Sequence, residues 1–191
     1  MSVLSPALLG AVALVLLASA AGHLRHPVAL RSGLLVHDVL PAALHRPVSV
    51  LLPVAELTLG AVALWAIAGP GDPVLLTRLG GAGAALLFAG FTAYLLGVLR
   101  TRPEPGVPCA CGVGEASVGP VSVARAGLLA GFAAVAALTA GGWTFTTRPT
   151  PEVVVTVAAA LTLAVATALL PAAREVPADL TLTDLAAGGA R

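Results

Sequence analysis

Charged side chains are scarce in this sequence: they make up 10% of its 191 residues, the net charge is +1, and lysine is absent. A soluble globular domain has about 25% charged residues, so this chain lacks the polar surface that a soluble fold requires. The small net charge also excludes an electrostatic case for binding nucleic acid. With 58% hydrophobic residues and a mean hydropathy of +0.99, the composition indicates an integral membrane protein in contact with the lipid bilayer.

Five apolar runs are long enough to cross a bilayer as helices, which takes about 20 residues each. They are Met1–Gly22, Val48–Gly69, Leu79–Leu99, Ala126–Trp143 (extending past Phe145) and Val153–Ala173. The runs are continuous and do not alternate, and within lipid only helices and closed barrels satisfy every backbone group. The sequence therefore predicts an all-α, polytopic membrane helix bundle of four helices plus a fifth. Ala18-Ser19-Ala20 resembles a signal-peptidase site, but no positive residue precedes the first run, so we expect a retained helix.

The arginines predict the orientation. Eight of the ten lie in residues 23–47, in residues 100–125 or after residue 173, and one lies in each of the other two connections. Cytoplasmic segments of membrane proteins carry an excess of Lys and Arg. The distribution therefore predicts that the arginine-rich segments, which include both cysteines, lie in the cytoplasm.

The two cysteines, Cys109 and Cys111, are separated by one residue in a polar connection before the fourth run. A disulfide across one residue closes a small ring, which departs readily from relaxed torsions and is easier to reduce than a structural bridge. The pair could also bind a soft metal ion or pack as two small hydrophobic residues. Thiol–disulfide exchange is the leading hypothesis, with Cys111 the expected attacking thiol because it is nearer the start of a helix.

Glu56 lies within the second run, eight residues after Val48. A carboxylate at that depth is costly, so we expect it to face the bundle interior with a partner. Pro53, three residues earlier, would free a backbone carbonyl nearby. Glu56 is a candidate for carrying protons coupled to electron transfer or for binding a quinone headgroup, and a structural hydrogen bond between helices is the alternative.

The four histidines, His23, His26, His37 and His45, all lie between the first and second runs. Imidazole and thiolate ligands suit zinc or copper, so a metal site of His23, His26, Cys109 and Cys111 is an alternative hypothesis. The spacing has no ligand signature beyond the pair His23 and His26. We therefore expect these histidines to belong to an interfacial segment, residues 24–44 and their flanks.

Arg125 precedes the fourth apolar run, with Ser122 just before it. An arginine at the start of a spanning helix can extend its head group to the membrane surface. It can also stabilise a nearby thiolate and so make a cysteine more reactive. Arg125 is therefore a further candidate residue of a redox site.

Several stretches together resemble a known family. Residues 16–27 read LLASAAGHLRHP, residues 39–41 VLP, residues 52–60 LPVAELTLG, residues 109–112 CACG and residues 121–125 VSVAR. Over roughly residues 4–140 this pattern resembles the methylamine utilisation (MauE) domain, which is related to the DoxX-like and vitamin K epoxide reductase-like membrane bundles. The glutamate segment and the Cys-x-Cys-Gly segment are moderately specific in combination.

The resemblance implies a four-helix domain, which corresponds to residues 1–145. Outside the resemblance, the fifth apolar run predicts an additional transmembrane helix at 146–173, followed by a short polar tail at 174–191. The resemblance also implies a multi-pass protein of the cell membrane that relays electrons by thiol–disulfide exchange and supports maturation of partner proteins, as part of amine metabolism. Cys109 and Cys111 would be the redox pair of this membrane thiol–disulfide oxidoreductase, and Glu56 the family's intramembrane glutamate. Beyond a quinone, no cofactor is indicated. A metal-handling protein and a non-enzymatic structural subunit remain the alternatives.

The side of the membrane that carries the cysteines can be measured with a membrane-impermeant maleimide. The family's function implies an outer location, whereas the arginine distribution predicts a cytoplasmic one. Labelling that requires both permeabilisation and reduction would place a Cys109–Cys111 disulfide in the cytoplasm, and the double Cys→Ser variant is the unlabelled control. Labelling in intact cells would instead place the pair on the outer face.

Overall fold

The computed structural model describes residues 3–101 and 117–170, and in these ranges the chain forms six α-helices. They are α1 (Leu4–Arg25), α2 (Pro27–His37), α3 (Ala42–Ala68), α4 (Pro73–Thr101), α5 (Pro120–Leu138) and α6 (Thr150–Leu169). All except α2 are long and apolar enough to cross a membrane, which confirms the predicted all-α, polytopic bundle. The 11 residues of α2 cover about 16 Å, roughly half of the hydrocarbon thickness.

The fourth span differs most from its prediction. α5 begins at Pro120 and ends at Leu138, so the predicted continuation of this helix past Phe145 is wrong. A proline is favourable in the first turn of a helix, whereas Gly142, with a φ of 68°, lies outside the right-handed helical region. Trp143 therefore lies in the connection to α6, where its ring packs edge-on against Phe145.

The first helix is the centre of the bundle. In α1, 72% of the most apolar stretch is buried, against 22 to 33% in the other four spans. α1 packs against α3, α5 and α6, and its residues Leu9, Val12 and Leu16 are almost completely buried. α6 shares this core through Ala164, so the last span belongs to the same bundle.

Successive spans alternate in direction. Ser5, near the start of α1, donates a hydrogen bond of 3.0 Å to the carbonyl of Ala136, near the end of α5. The ends of α1, α4 and α6 therefore lie beside the starts of α3 and α5. We call this end of the bundle the arginine-rich end, because it carries Arg25, Arg31, Arg46, Arg100 and Arg125. Arg78 and Arg148 lie at the opposite end. Thr101 and Ser117, which flank the cysteine-containing segment, both lie at the arginine-rich end.

The opposite end is closed by the connection between α5 and α6. The backbone N–H of Phe145 donates to the carbonyl of Ile67, one residue before the end of α3, at 3.0 Å. Trp143 donates its indole N–H to Glu152 in the first turn of α6 at 3.2 Å. These contacts join three spans at a point far from the cysteine-containing segment.

α4 and α5 approach each other closely at Gly81. A Cβ atom at this position would lie 2.9 Å from the carbonyl oxygen of Ala133 and 3.0 Å from the Cβ of Ala137. Such distances are not tolerated without movement of the α5 backbone. Small residues at close contacts of this kind stabilise helix pairs within membranes, where apolar burial alone gives little driving force.

We expect Gly81→Ala to lower the free energy of unfolding by about 1–3 kcal/mol, since overpacking a close contact costs that much. Gly131→Ala in α5 is the matched control, because nothing lies within 4 Å of the added methyl group. Unfolding in detergent would measure both. Equal stability of the two variants would contradict the close approach of α4 and α5.

Candidate functional site

A close approach of α1 and α3 positions the most buried carboxyl group of the described chain. Gly60 follows Glu56 by one helical turn on α3, so both residues lie on the same face. A Cβ at Gly60 would lie 2.8 Å from the Leu17 side chain and 3.3 Å from the carbonyl oxygen of Ala13. The missing side chain at Gly60 therefore lets α1 approach α3 closely beside Glu56.

Glu56 contacts two polar side chains of α1, and we refer to Ser19, His23 and Glu56 as the Glu56 cluster. The Ser19 hydroxyl donates to Glu56 Oε1 at 2.8 Å. His23 Nε2 lies 3.4 Å from Ser19 Oγ and 3.7 Å from Glu56 Oε2. Glu56 is 1% exposed and His23 4% exposed, so the cluster is enclosed by the bundle. This arrangement confirms the expectation that Glu56 faces the interior with a partner.

The second carboxyl oxygen, Glu56 Oε2, has no hydrogen-bond partner among residues 3–101 and 117–170. An ionised carboxylate with one oxygen unsatisfied is costly to bury. A proton on Glu56 makes the group neutral, and a proton on His23 gives an ion pair across the 3.7 Å gap. The cluster therefore has two places for one proton, both within the bundle.

The Glu56 cluster extends from the interior of the bundle toward the arginine-rich end. Glu56 lies near the middle of α3, whereas His23 is in the last turn of α1, next to the exposed residues Leu24 and Arg25. Ser19 can accept a hydrogen bond from His23 while it donates to Glu56, because a hydroxyl does both. Protons could thus move between Glu56 and the membrane surface through two side chains.

The predicted redox pair, Cys109 and Cys111, lies outside the described residues. The helix after it begins at Pro120, nine residues beyond Cys111. A helix dipole acts mainly within the first turn, so the start of α5 gives no reason to prefer Cys111 over Cys109 as the attacking thiol. That preference stays a prediction.

The structure does not bring Arg125 into hydrogen-bond contact with the Glu56 cluster. In the described part of the chain, the ion-pair partner of Glu56 is His23. Arg125 is only 9% exposed and lines a groove formed with α1 and α6, beside Ala18 and Ala168. Arg125 was also predicted to stabilise a cysteine thiolate. That prediction is not tested, because both cysteines lie outside the described residues.

The histidines occupy four different environments. His23 belongs to the Glu56 cluster, His26 is exposed, and His45 Nε2 lies 2.9 Å from the carbonyl oxygen of Leu40. His37 is buried and its Nδ1 lies 2.8 Å from the hydroxyl of Tyr94 on α4. The described residues contain no group of three or more His, Cys, Asp or Glu side chains that could hold a metal ion.

The pair of His37 and Tyr94 lines a second groove, formed by α2, α3 and α4. This groove has a volume of about 320 Å³, and the rest of its wall is apolar, including Leu52, Leu86 and Phe91. Leu86 is 75% exposed, so the groove opens on the lipid-facing side of the bundle. It can accept an apolar molecule directly from the bilayer.

Sequence reasoning did not single out Ser19 or Tyr94 as functional residues. Ser19 precedes His23 by four residues and so shares its helix face, a signal that could have linked the two. Tyr94 is the single tyrosine of the chain and falls within an apolar run. Its contact with His37 depends on how α2 packs against α4, which the sequence does not show.

The fold and the buried cluster define a polytopic membrane helix-bundle protein with a polar site enclosed between its spans. Residues 1–139 match the sequence model of the family described as Methylamine utilisation protein MauE. The match includes α1 to α5 and most of the chain, so the protein belongs to the MauE family; α6 lies beyond it. No curated protein and no solved structure matches the chain.

We expect Ser19→Ala to lower the free energy of unfolding by about 1–3 kcal/mol, because it removes the hydrogen bond to a buried carboxyl group. Ser32→Ala is the matched control: Ser32 is exposed and bonds only to the carbonyl of Ala29 in its own helix. Unfolding in detergent measures both variants. A Ser19→Ala protein as stable as the control would show that the bond contributes little to the bundle.

Proposed function

We propose that the protein is a membrane thiol–disulfide relay, in which Cys109 and Cys111 pass two electrons from a dithiol partner protein to a quinone. The observation that carries the proposal is the position of the Glu56 cluster. His23, the residue of the cluster in the last turn of α1, lies at the arginine-rich end. The cysteine-containing segment is attached to the same end through Thr101 and Ser117. Membership of the MauE family supports a partner protein in amine metabolism.

The relay works in two balanced half-reactions. In the first, a thiolate of the partner attacks the Cys109–Cys111 disulfide, and the resulting mixed disulfide is resolved by the partner's second thiolate. The partner gains a disulfide and the relay pair becomes two thiols. In the second, the two thiols are oxidised back to the disulfide, and a quinone takes up two electrons and two protons to become a quinol.

Glu56 would accept and release protons in the second half-reaction. Thiols must lose protons before they react, and the quinone must gain them, so a proton carrier between bundle interior and surface is useful at this step. Glu56 and His23 offer two proton positions 3.7 Å apart, and Ser19 orients the carboxyl group through its 2.8 Å hydrogen bond. This function agrees with the high cost of keeping an ionisable residue within a membrane.

The groove between α2, α3 and α4 supports a quinone as the electron acceptor. Its volume of about 320 Å³ falls within the range of small-molecule pockets. An apolar wall suits the isoprenoid tail and the lipid-facing opening gives access from the bilayer. The His37 and Tyr94 side chains are polar groups against which the carbonyl groups of a quinone ring can be placed.

The relay can be tested in nanodiscs with dithiothreitol as the electron donor and a short-chain ubiquinone as the acceptor, following quinone absorbance. We expect Cys109→Ser and Cys111→Ser each to reduce the rate to the uncatalysed background. Glu56→Gln should slow it by about 10²-fold or more, as loss of an acid–base group typically does.

Glu152→Gln is the matched control, since Glu152 lies at the opposite end and an amide oxygen can still accept the Trp143 hydrogen bond. Full activity in both cysteine variants would refute the relay and favour a structural subunit. Full activity in Glu56→Gln alone would leave the relay intact and restrict Glu56 to a structural hydrogen bond between α1 and α3.

A further inference from the structure

Arg125 is a buried cation in an apolar groove. Its side chain is 9% exposed and lines a cavity of about 280 Å³ between α1 and α6. The other lining residues are apolar, and two of them, Leu161 and Val165, are about half exposed, so the groove is open to surrounding lipid. Among the described residues that line the groove, Arg125 is the single charged one.

No hydrogen bond or ion pair joins Arg125 to any residue in the ranges 3–101 and 117–170. A guanidinium stays charged in proteins and carries five N–H donors. A buried charge without a partner is strongly unfavourable. The guanidinium therefore requires an anion as its partner, and an anion can enter from the open side of the groove.

Arg125 lies near one end of its span. Arg125 is the sixth residue of α5, roughly 8 Å from its start at 1.5 Å per residue. A flexible arginine can place its head group at the interface from there. From Ala168 to Leu161 the apolar wall then continues along α6 toward the bilayer centre for about 10 Å.

We propose that Arg125 and the groove between α1 and α6 bind one anionic phospholipid. The guanidinium holds the phosphate through two parallel hydrogen bonds, a geometry that arginine favours. One acyl chain lies along Leu161, Ala164 and Val165. The predicted cytoplasmic location of the arginine-rich end agrees with this ligand, since that leaflet is rich in anionic lipids.

This site is separate from the relay. Arg125 has no part in the two half-reactions described above, and the groove lies on the side of α1 that faces α6. A negative result for the lipid would leave the relay untouched, and a relay without activity would leave the lipid site untouched.

The test is native mass spectrometry of the delipidated full-length protein in a neutral detergent. The probes are phosphatidylglycerol and phosphatidylcholine with identical chains, and inorganic phosphate. We expect one phosphatidylglycerol to bind at least about tenfold more tightly than phosphatidylcholine, because both lipids offer a phosphate but the quaternary ammonium of choline places a like charge near the guanidinium. Arg125→Gln should abolish this preference, and Arg78→Gln, an exposed arginine at the opposite end, should preserve it.

A second variant tests the groove without changing the charge. Ala168→Trp fills the wall beside Arg125 and should also weaken phosphatidylglycerol binding, whereas Ala166→Trp, on an exposed position of the same helix, should not. Equal binding of both lipids, or binding of inorganic phosphate as tight as that of the lipid, would overturn the proposal. So would an Arg125→Gln protein that keeps its lipid preference but shows altered alkylation rates of Cys109 and Cys111, because Arg125 would then serve the thiols.

Discussion

The hydrogen bond between Ser19 and Glu56 is the interaction on which the arrangement of the bundle centre depends. In a hydrocarbon environment, no water is present to form hydrogen bonds with a carboxyl group. The group therefore requires a hydrogen-bond partner on the neighbouring helix. That requirement fixes how α1 and α3 are rotated and how far they slide along each other. Gly60 supplies the matching close approach one turn away, where a Cβ atom would meet Leu17.

Glu56 and Arg125 are two buried ionisable groups whose charges are handled in different ways. Glu56 faces two polar side chains of α1, and a proton can neutralise it. Arg125 cannot lose its charge under ordinary conditions and faces an apolar groove that opens to lipid. An acid can therefore be enclosed between spans, whereas the guanidinium needs a counter-ion from outside the described chain. The central helix, α1, lies between the Glu56 cluster and the groove that contains Arg125.

The number and type of spans were predictable because they depend on composition over about 20 residues, a property that the sequence states directly. The end of α5 was not, because the helix ends at Leu138, inside a run that is still apolar. Glu56 could be recognised as an interior residue from its depth alone. Its partner could not, because Ser19 is 37 residues away on another helix and their contact depends on the register of α1 against α3.

The central position of α1 has a consequence for the order of assembly during synthesis. α1 is made before α6, yet α6 covers the face of α1 that contains Gly10 and contributes Ala164 to the shared core. Chains grow from the N-terminus, at about 5–20 residues per second, so this face of α1 is exposed to lipid while three further spans, α3, α4 and α5, are inserted before α6. A ribosome-bound chain that stops after α5 therefore leaves this face of α1 uncovered, and the described bundle is complete only when α6 has been inserted.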